Sequence, residues 1–164
     1  MSASTLSAKG LGMIAGFEGY RRYPYNDVAD NATIGYGHLL HLGPVSAADH
    51  LRYPLGLTVR EGLTVLRSDC AHAEAAVRTY VKRELGQGQY DALVSFTFNC
   101  GGGALAHSTL LVDVNRDLGA KGALTIATDF MRWDHAGGVV VPGLRTRRHD
   151  EAVLFLQGRY PEDT

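Results

Sequence analysis

At 164 residues, with 45% hydrophobic and 20% charged residues and a formal net charge of −1, the chain has the composition of one folded domain or of a small lobe joined to a larger one. That balance excludes a disordered chain, and so little net charge gives no bulk attraction to nucleic acid or another anionic polymer. No apolar run approaches the roughly 20 residues that cross a bilayer, and the first ten residues lack a signal-peptide core, so cytoplasmic synthesis without stable membrane insertion is expected.

In chain order, Ser7 can cap a short helix with Leu11, Ile14 and Phe17 on its apolar side, ending near Glu18-Gly19. From residue 23 to about 42 the period changes. Tyr23, Tyr25, Ile34 and Tyr36, with Asp30-Asn31 between them, predict a small antiparallel sheet with a tight turn. Residues 41–56, with Gly43-Pro44 and Tyr53-Pro54, read as an irregular polar loop. Thr58-Val-Arg-Glu61 is a capping box opening a long helix. Val59, Leu63, Leu66, Cys70, Ala73, Val77 and Val81 continue one apolar stripe along it toward Glu84 or Leu85, where Gly86-Gln-Gly88 stops it.

Residues 89–100 are apolar on nearly every side, which predicts a helix enclosed by other helices and ended by Gly101-Gly-Gly103. Ser108 starts another, with Leu110, Leu111, Val114 and Leu118 inward and Gly119 as its stop. Ala123 to Trp133 forms the next, Gly137-Gly138 a turn between short extended pieces, and Pro142 the first turn of a last helix closing at Gly158. Cys70 and Cys100 fall in helical segments and are expected as buried thiols. Arg132, Arg145, Arg147, Arg148 and His149 suggest a local basic or solvated face.

The densest chemistry lies between residues 18 and 38. Glu18 sits where a helix runs out beside Phe17, and a carboxyl partly buried against apolar groups acts as a general acid. Asp27 and Thr33 fall on neighbouring strands of the expected hairpin, where both can reach one water. A carboxylic acid facing such a pair across about 6.5–9.5 Å suits inverting hydrolysis of a glycosidic bond. Gly35 and Gly37 allow a polymer to approach the strand backbone closely. The histidines at 38, 41 and 50 fall on strand and loop without a fourth ligand, so no metal site is expected.

Glu18, Asp27 and Thr33-Ile-Gly-Tyr-Gly-His38 resemble the signature of the phage-type lysozymes, the muramidases used as endolysins. Residues 89–99 with Gly101 resemble that family's central helix, and Ser108-Thr-Leu-Leu111, Arg132-Trp133 and Gly143-Leu-Arg-Thr-Arg-Arg148 with Glu151 its C-terminal elements. The resemblance implies a lysozyme-like α+β fold: a sheet lobe at about 18–57, a connecting helix at about 58–85, a helical lobe from 1–17 and 86–164, and a cleft between the lobes. It further implies cofactor-free hydrolysis of the β-1,4 bond between N-acetylmuramic acid and N-acetylglucosamine, by a monomer whose partner is the peptidoglycan glycan strand.

By that likeness Glu18 is the general acid, and Asp27 and Thr33 position and activate water. Arg147 matches an arginine that pairs with the catalytic glutamate, His38 a histidine behind the site with Asp69 as its candidate partner, and Asn99 a position facing the cleft. The chain departs from the family in having Asp30 where a glycine is usual. That implies a positive φ, and the added carboxylate is expected to raise the pKa of Asp27 or its own. Two settings fit a muramidase without a leader: a phage endolysin released to the wall, or a secreted effector with an immunity protein. A wall-binding module of the same fold and a lytic transglycosylase are the rival activities.

Overall fold

The computed structural model describes residues 4–116 and 122–163. Helix α1 (Ala8–Glu18) starts where the Ser7 hydroxyl accepts the Gly10 amide at 2.9 Å, and it ends at Gly19, whose φ is 69°. The chain divides into two compact units, Ile14–Cys70 and the remainder, Met1–Met13 with Ala71–Thr164.

The smaller unit is built on three antiparallel strands in the order β1 (Arg21–Asn26), β2 (Ala32–Gly35), β3 (His38–His41). Strand β2 is central and buried throughout, as a middle strand should be. Cross-strand partners are Tyr25 with Thr33 and Asn26 with Ala32, and a bulge interrupts β1 between Arg21 and Tyr25.

The segment expected as an irregular loop holds a helix, α2 (Ala47–Arg52). Its N-terminus is a reciprocal cap: the Ser46 hydroxyl accepts the Asp49 amide, and Asp49 Oδ2 accepts the Ser46 amide at 2.7 Å. His41 Nε2, at the end of β3, lies 2.9 Å from the same Asp49 Oδ2.

Helix α3 (Val59–Asp69) opens on the expected Thr58–Glu61 capping box. Gly62 lets it approach the sheet, since a β-carbon there would stand 3.3 Å from the rings of Tyr20 and Tyr36. The long helix expected over residues 58–85 is not continuous. It is divided at Cys70 into α3 and α4 (Ala71–Tyr80), and the boundary between the two units falls at the same residue. The stripe is buried at Leu66, Cys70, Ala73 and Val77, whereas Val59 is 52% exposed. No glycine or proline marks the break, so an apolar stripe reads straight through it.

The larger unit is organised around α5 (Gln87–Cys100), in which residues 90–97 are all buried. Gly86 both follows α4 and caps α5, its amide bonded to Gln89 Oε1 at 3.1 Å. Around α5 come α4, α6 (Gly102–Ala106), α7 (Thr109–Arg116), α8 (Ala123–Met131) and α9 (Pro142–Gln157). Gly101, at φ 91°, separates α5 from α6, and the Ser108 hydroxyl caps α7 by accepting the Leu111 amide at 3.0 Å. The expected inward Leu118 and terminator Gly119 lie outside the described residues.

A two-stranded ribbon, β4 (His135–Ala136) with β5 (Val139–Val140), turns through Gly137-Gly138, and α9 closes on the left-handed Gly158. Phe96 packs edge-on against Phe130 at 5.8 Å and Trp133 at 5.4 Å.

Buried carboxylates tie this unit together. Asp91, fully buried on α5, accepts from the Ser7 amide at 3.1 Å, the Ser7 hydroxyl, Gln87 Nε2 at 2.8 Å and the Tyr160 hydroxyl at 2.7 Å. Glu151, also fully buried, accepts from Ser95 Oγ at 2.7 Å and pairs with Arg147 at 3.2 Å and Arg148 at 2.7 Å. This corrects the expected basic face. Arg147 is 4% exposed and Arg148 not exposed at all, so two of its five members belong to the core. Isolated charges do not survive burial; these do because a carboxylate and a hydroxyl meet them there.

Candidate active site

Glu18 is the last residue of α1, and its half-buried carboxyl points toward the turn joining β2 to β3. Gly37, in that turn, adopts φ 79°, and a β-carbon on it would stand 3.9 Å from Glu18 Oε2. Glycine therefore holds a backbone that other residues resist and leaves open the space beside the carboxyl.

Asp27 follows β1 and turns its carboxyl inward over the hairpin bend. Its Oδ1 accepts the amides of Ala29 at 2.8 Å and Asn31 at 2.9 Å, an Asx-type turn, while its own amide donates to the Asn31 carbonyl at 2.9 Å. Those amide bonds, that of Asn31 foremost, hold the carboxyl below its ordinary range and keep it ionised. Against the expected rise in the pKa of Asp27 or Asp30, the net shift at Asp27 is downward, led by the turn amides. Asp30 itself adopts φ 61°, as a residue in a glycine position must, and Asn26 Nδ2 donates to its Oδ1 at 2.7 Å.

Thr33 is 3% exposed and lies on the strand next to the one that leads into Asp27. Its hydroxyl donates to the Asn31 carbonyl at 3.1 Å, which leaves the oxygen to act as an acceptor. His38 opens β3, and its Nδ1 lies 2.9 Å from Asp69 Oδ2 at the end of α3, the pairing expected for it. Glu18, Asp27, Thr33 and His38 thus all belong to the smaller unit.

The other two expected residues belong to the larger unit. Asn99 is exposed at the end of α5, and its Oδ1 accepts from Arg148 Nη1 at 3.0 Å. Arg147 donates to Glu151 and, through Nη2, to the Ser95 carbonyl at 3.2 Å. Arg148 escaped the sequence-based assignment of roles. Its signal was the spacing of Arg147 and Arg148 to Glu151, four and three residues, which aligns both guanidiniums with one carboxylate on a helix.

Neither cysteine is in a disulfide; Cys70 is buried and Cys100, expected buried, is half-exposed. Among the described residues no cluster of histidine, cysteine and carboxylate side chains could hold a metal ion. Nor is any helix among them long and apolar enough to cross a membrane.

A carboxyl at a helix end, a turn-held carboxylate and a buried threonine on a three-stranded sheet, with a helical unit built around one enclosed helix, define a lysozyme-like α+β protein. The phage lysozyme family model matches residues 15–151, and the chain belongs to that family. Its relatives include an endolysin of Bacillus phage B103, 35% identical over 156 residues, with 93% of this chain and 54% of the relative covered. The chain therefore spans about half the length of that relative.

Among solved structures, an endolysin from Escherichia coli O157:H7 phage FAHEc1 superposes with a TM-score of 0.80 at 32% identity, covering 98% of this chain and 99% of the other. The muramidase domain of SpmX from Asticaccaulis excentricus does so with a TM-score of 0.76 at 30% identity, covering 93% and 98%.

Proposed function

We propose that this chain is a muramidase that hydrolyses the β-1,4 bond between N-acetylmuramic acid and N-acetylglucosamine of peptidoglycan. Glu18 protonates the leaving oxygen, while Asp27 and Thr33 hold the water that attacks the anomeric carbon. The observation that carries this reading is the state of Asp27. Two backbone amides keep it ionised, beside a threonine oxygen that is itself an acceptor. A water given two acceptors has both its hydrogens directed and a lone pair left for attack. A side chain binding a covalent intermediate would not need a second acceptor next to it, so the pair favours inversion. Arg147, Asn99 and His38 are assigned supporting roles by the family resemblance.

Positive φ at Asp30 also speaks against a binding module that has lost its chemistry, because the turn geometry survives the missing glycine. Phage release or delivery as a secreted effector with an immunity protein both remain settings for the same activity, as does action by a monomer on the wall after synthesis inside the cell. The test is incubation of the purified protein with peptidoglycan. New reducing muramic ends, first released as the inverted anomer by NMR, are expected. Anhydro-muramic ends would identify a transglycosylase instead, and binding without cleavage would leave only a wall-binding module.

A further inference from the structure

The attacking water of the proposed mechanism has two acceptors and no donor. Asp27 is held ionised, and the Thr33 hydroxyl donates its one hydrogen bond to the Asn31 carbonyl. A water so held keeps one freedom, a pivot about the line joining its two directed hydrogens, and a third group that donates to its oxygen would fix which lone pair faces the reacting carbon. One residue on the same sheet has that chemistry. Tyr25 is the direct cross-strand partner of Thr33, so the two side chains share one face of the sheet, and it stands two residues before Asp27, which follows the end of β1.

The bulge in β1 lies between Arg21 and Tyr25, and bulges beside active sites re-aim the side chains that follow them. Arg21, on the other side of the bulge, lays its guanidinium 4.4 Å from the centre of the Tyr25 ring and fixes the ring from one face. The ring is half-buried, and among the described residues its hydroxyl makes no hydrogen bond to the protein. Burial raises the phenol's pKa above its ordinary value against the pull of Arg21, and the negative charges of Asp27 and Glu18 add to the rise. The hydroxyl therefore remains a protonated donor at neutral pH.

We propose that Tyr25 is the donor of the water site: its hydroxyl donates to the oxygen of the water held by Asp27 and Thr33, leaving the remaining lone pair to attack. The inference rests on the muramidase reading and assigns one more residue to it. No proton is transferred by Tyr25; it orients, while Asp27 receives the water's proton and Glu18 supplies one to the leaving group.

The test is Tyr25→Phe, which keeps the ring under Arg21 and removes only the donor. Turnover of peptidoglycan is expected to fall about tenfold or more, the worth of one lost hydrogen bond, with KM and Tm unchanged. Replacing Tyr25 by 3,5-difluorotyrosine should restore turnover at mildly acidic pH, where its phenol is protonated. Its more acidic hydroxyl should then bring the alkaline loss of activity to lower pH than in wild type. Wild-type turnover by Tyr25→Phe overturns the proposal. So does a loss that travels with a lowered Tm and is not restored by the fluorinated residue. If wild type itself releases no reducing ends, the muramidase reading fails as a whole, and the two failures are told apart by that control.

Discussion

Two groups of carboxylates divide the work of this molecule between them. In the larger unit Glu151 is fully buried, and burial pushes its pKa up against the opposing pull of Arg148 and Arg147. In the smaller unit Asp27 is half-exposed, and turn amides pull its pKa down. Both accept several hydrogen bonds, yet only the second is open to a visitor. The Glu151 cluster closes on itself: Ser95, Arg147 and Arg148 occupy its oxygens, and what remains for it is cohesion. Asp27 takes its bonds from the backbone of its own turn, a local arrangement that fixes the carboxylate without enclosing it.

The sharpest way to break this contrast is to remove one carboxylate of each kind and ask which property goes. Glu18→Gln should lower turnover by roughly 10²- to 10⁴-fold while leaving the thermal midpoint in place, because the amide keeps the shape and loses the proton. A reducing-end assay with a melting curve reads both, and near-normal lysis would take Glu18 out of its assigned role. Glu151→Ala should do the opposite. It leaves two guanidiniums buried without their partner and is expected to cost about 3–5 kcal/mol in denaturant unfolding. A loss under about 1 kcal/mol would mean that water or another acceptor reaches Arg147 and Arg148.

Asp30 sharpens the comparison at a smaller scale. Asp30→Ala puts a residue with no local hydrogen bond into the left-handed region and should cost roughly 1–2 kcal/mol. Asp30→Gly should keep both stability and activity, since glycine adopts the same φ freely. Loss of turnover in Asp30→Gly with the fold intact would show that the Asp30 carboxyl has work of its own.

The smallest effect concerns His41 and Asp49. The Leu42 carbonyl and the Asp49 carboxylate raise His41 above its ordinary 6.5, and His41 with the Ser46 cap lowers Asp49. A raised histidine contributes stability that is complete below its unfolded pKa and is lost as pH rises through the folded one. A lowered aspartate contributes stability present above its unfolded pKa and lost as pH falls through the folded one. His41→Gln should therefore shrink the fall in Tm as pH rises above 6.5, and an unchanged pH dependence would show the pair to be worth nothing in water.

What could be read from the residues was mostly what is decided locally. Ser7, Thr58-Glu61, Ser108 and Pro142 each mark a helix start through bonds spanning three residues or a fixed φ, and each helix begins there. The Asp27–Thr33 hairpin is of the same kind, and so is the positive φ at Asp30.

The misses come from partners distant in sequence or from patterns that do not register a break. Helix α2 was hidden because its cap uses Asp49 where a longer acid is usual. Its second anchor, His41, lies eight residues back on a strand. Arg147 and Arg148 look like surface charge until Ser95, 52 residues earlier than Arg147, turns out to face them. The end of α3 carries Asp69, held by His38 31 residues away, and nothing in the apolar stripe announces that the helix stops there.

Asp91 has a practical consequence for where this domain can be cut. Ser7 near one end of the chain and Tyr160 near the other both bond to its carboxylate, so the two chain segments meet at a single buried group. An excised version must retain both residues, because dropping either withdraws a donor from a carboxylate that solvent does not reach.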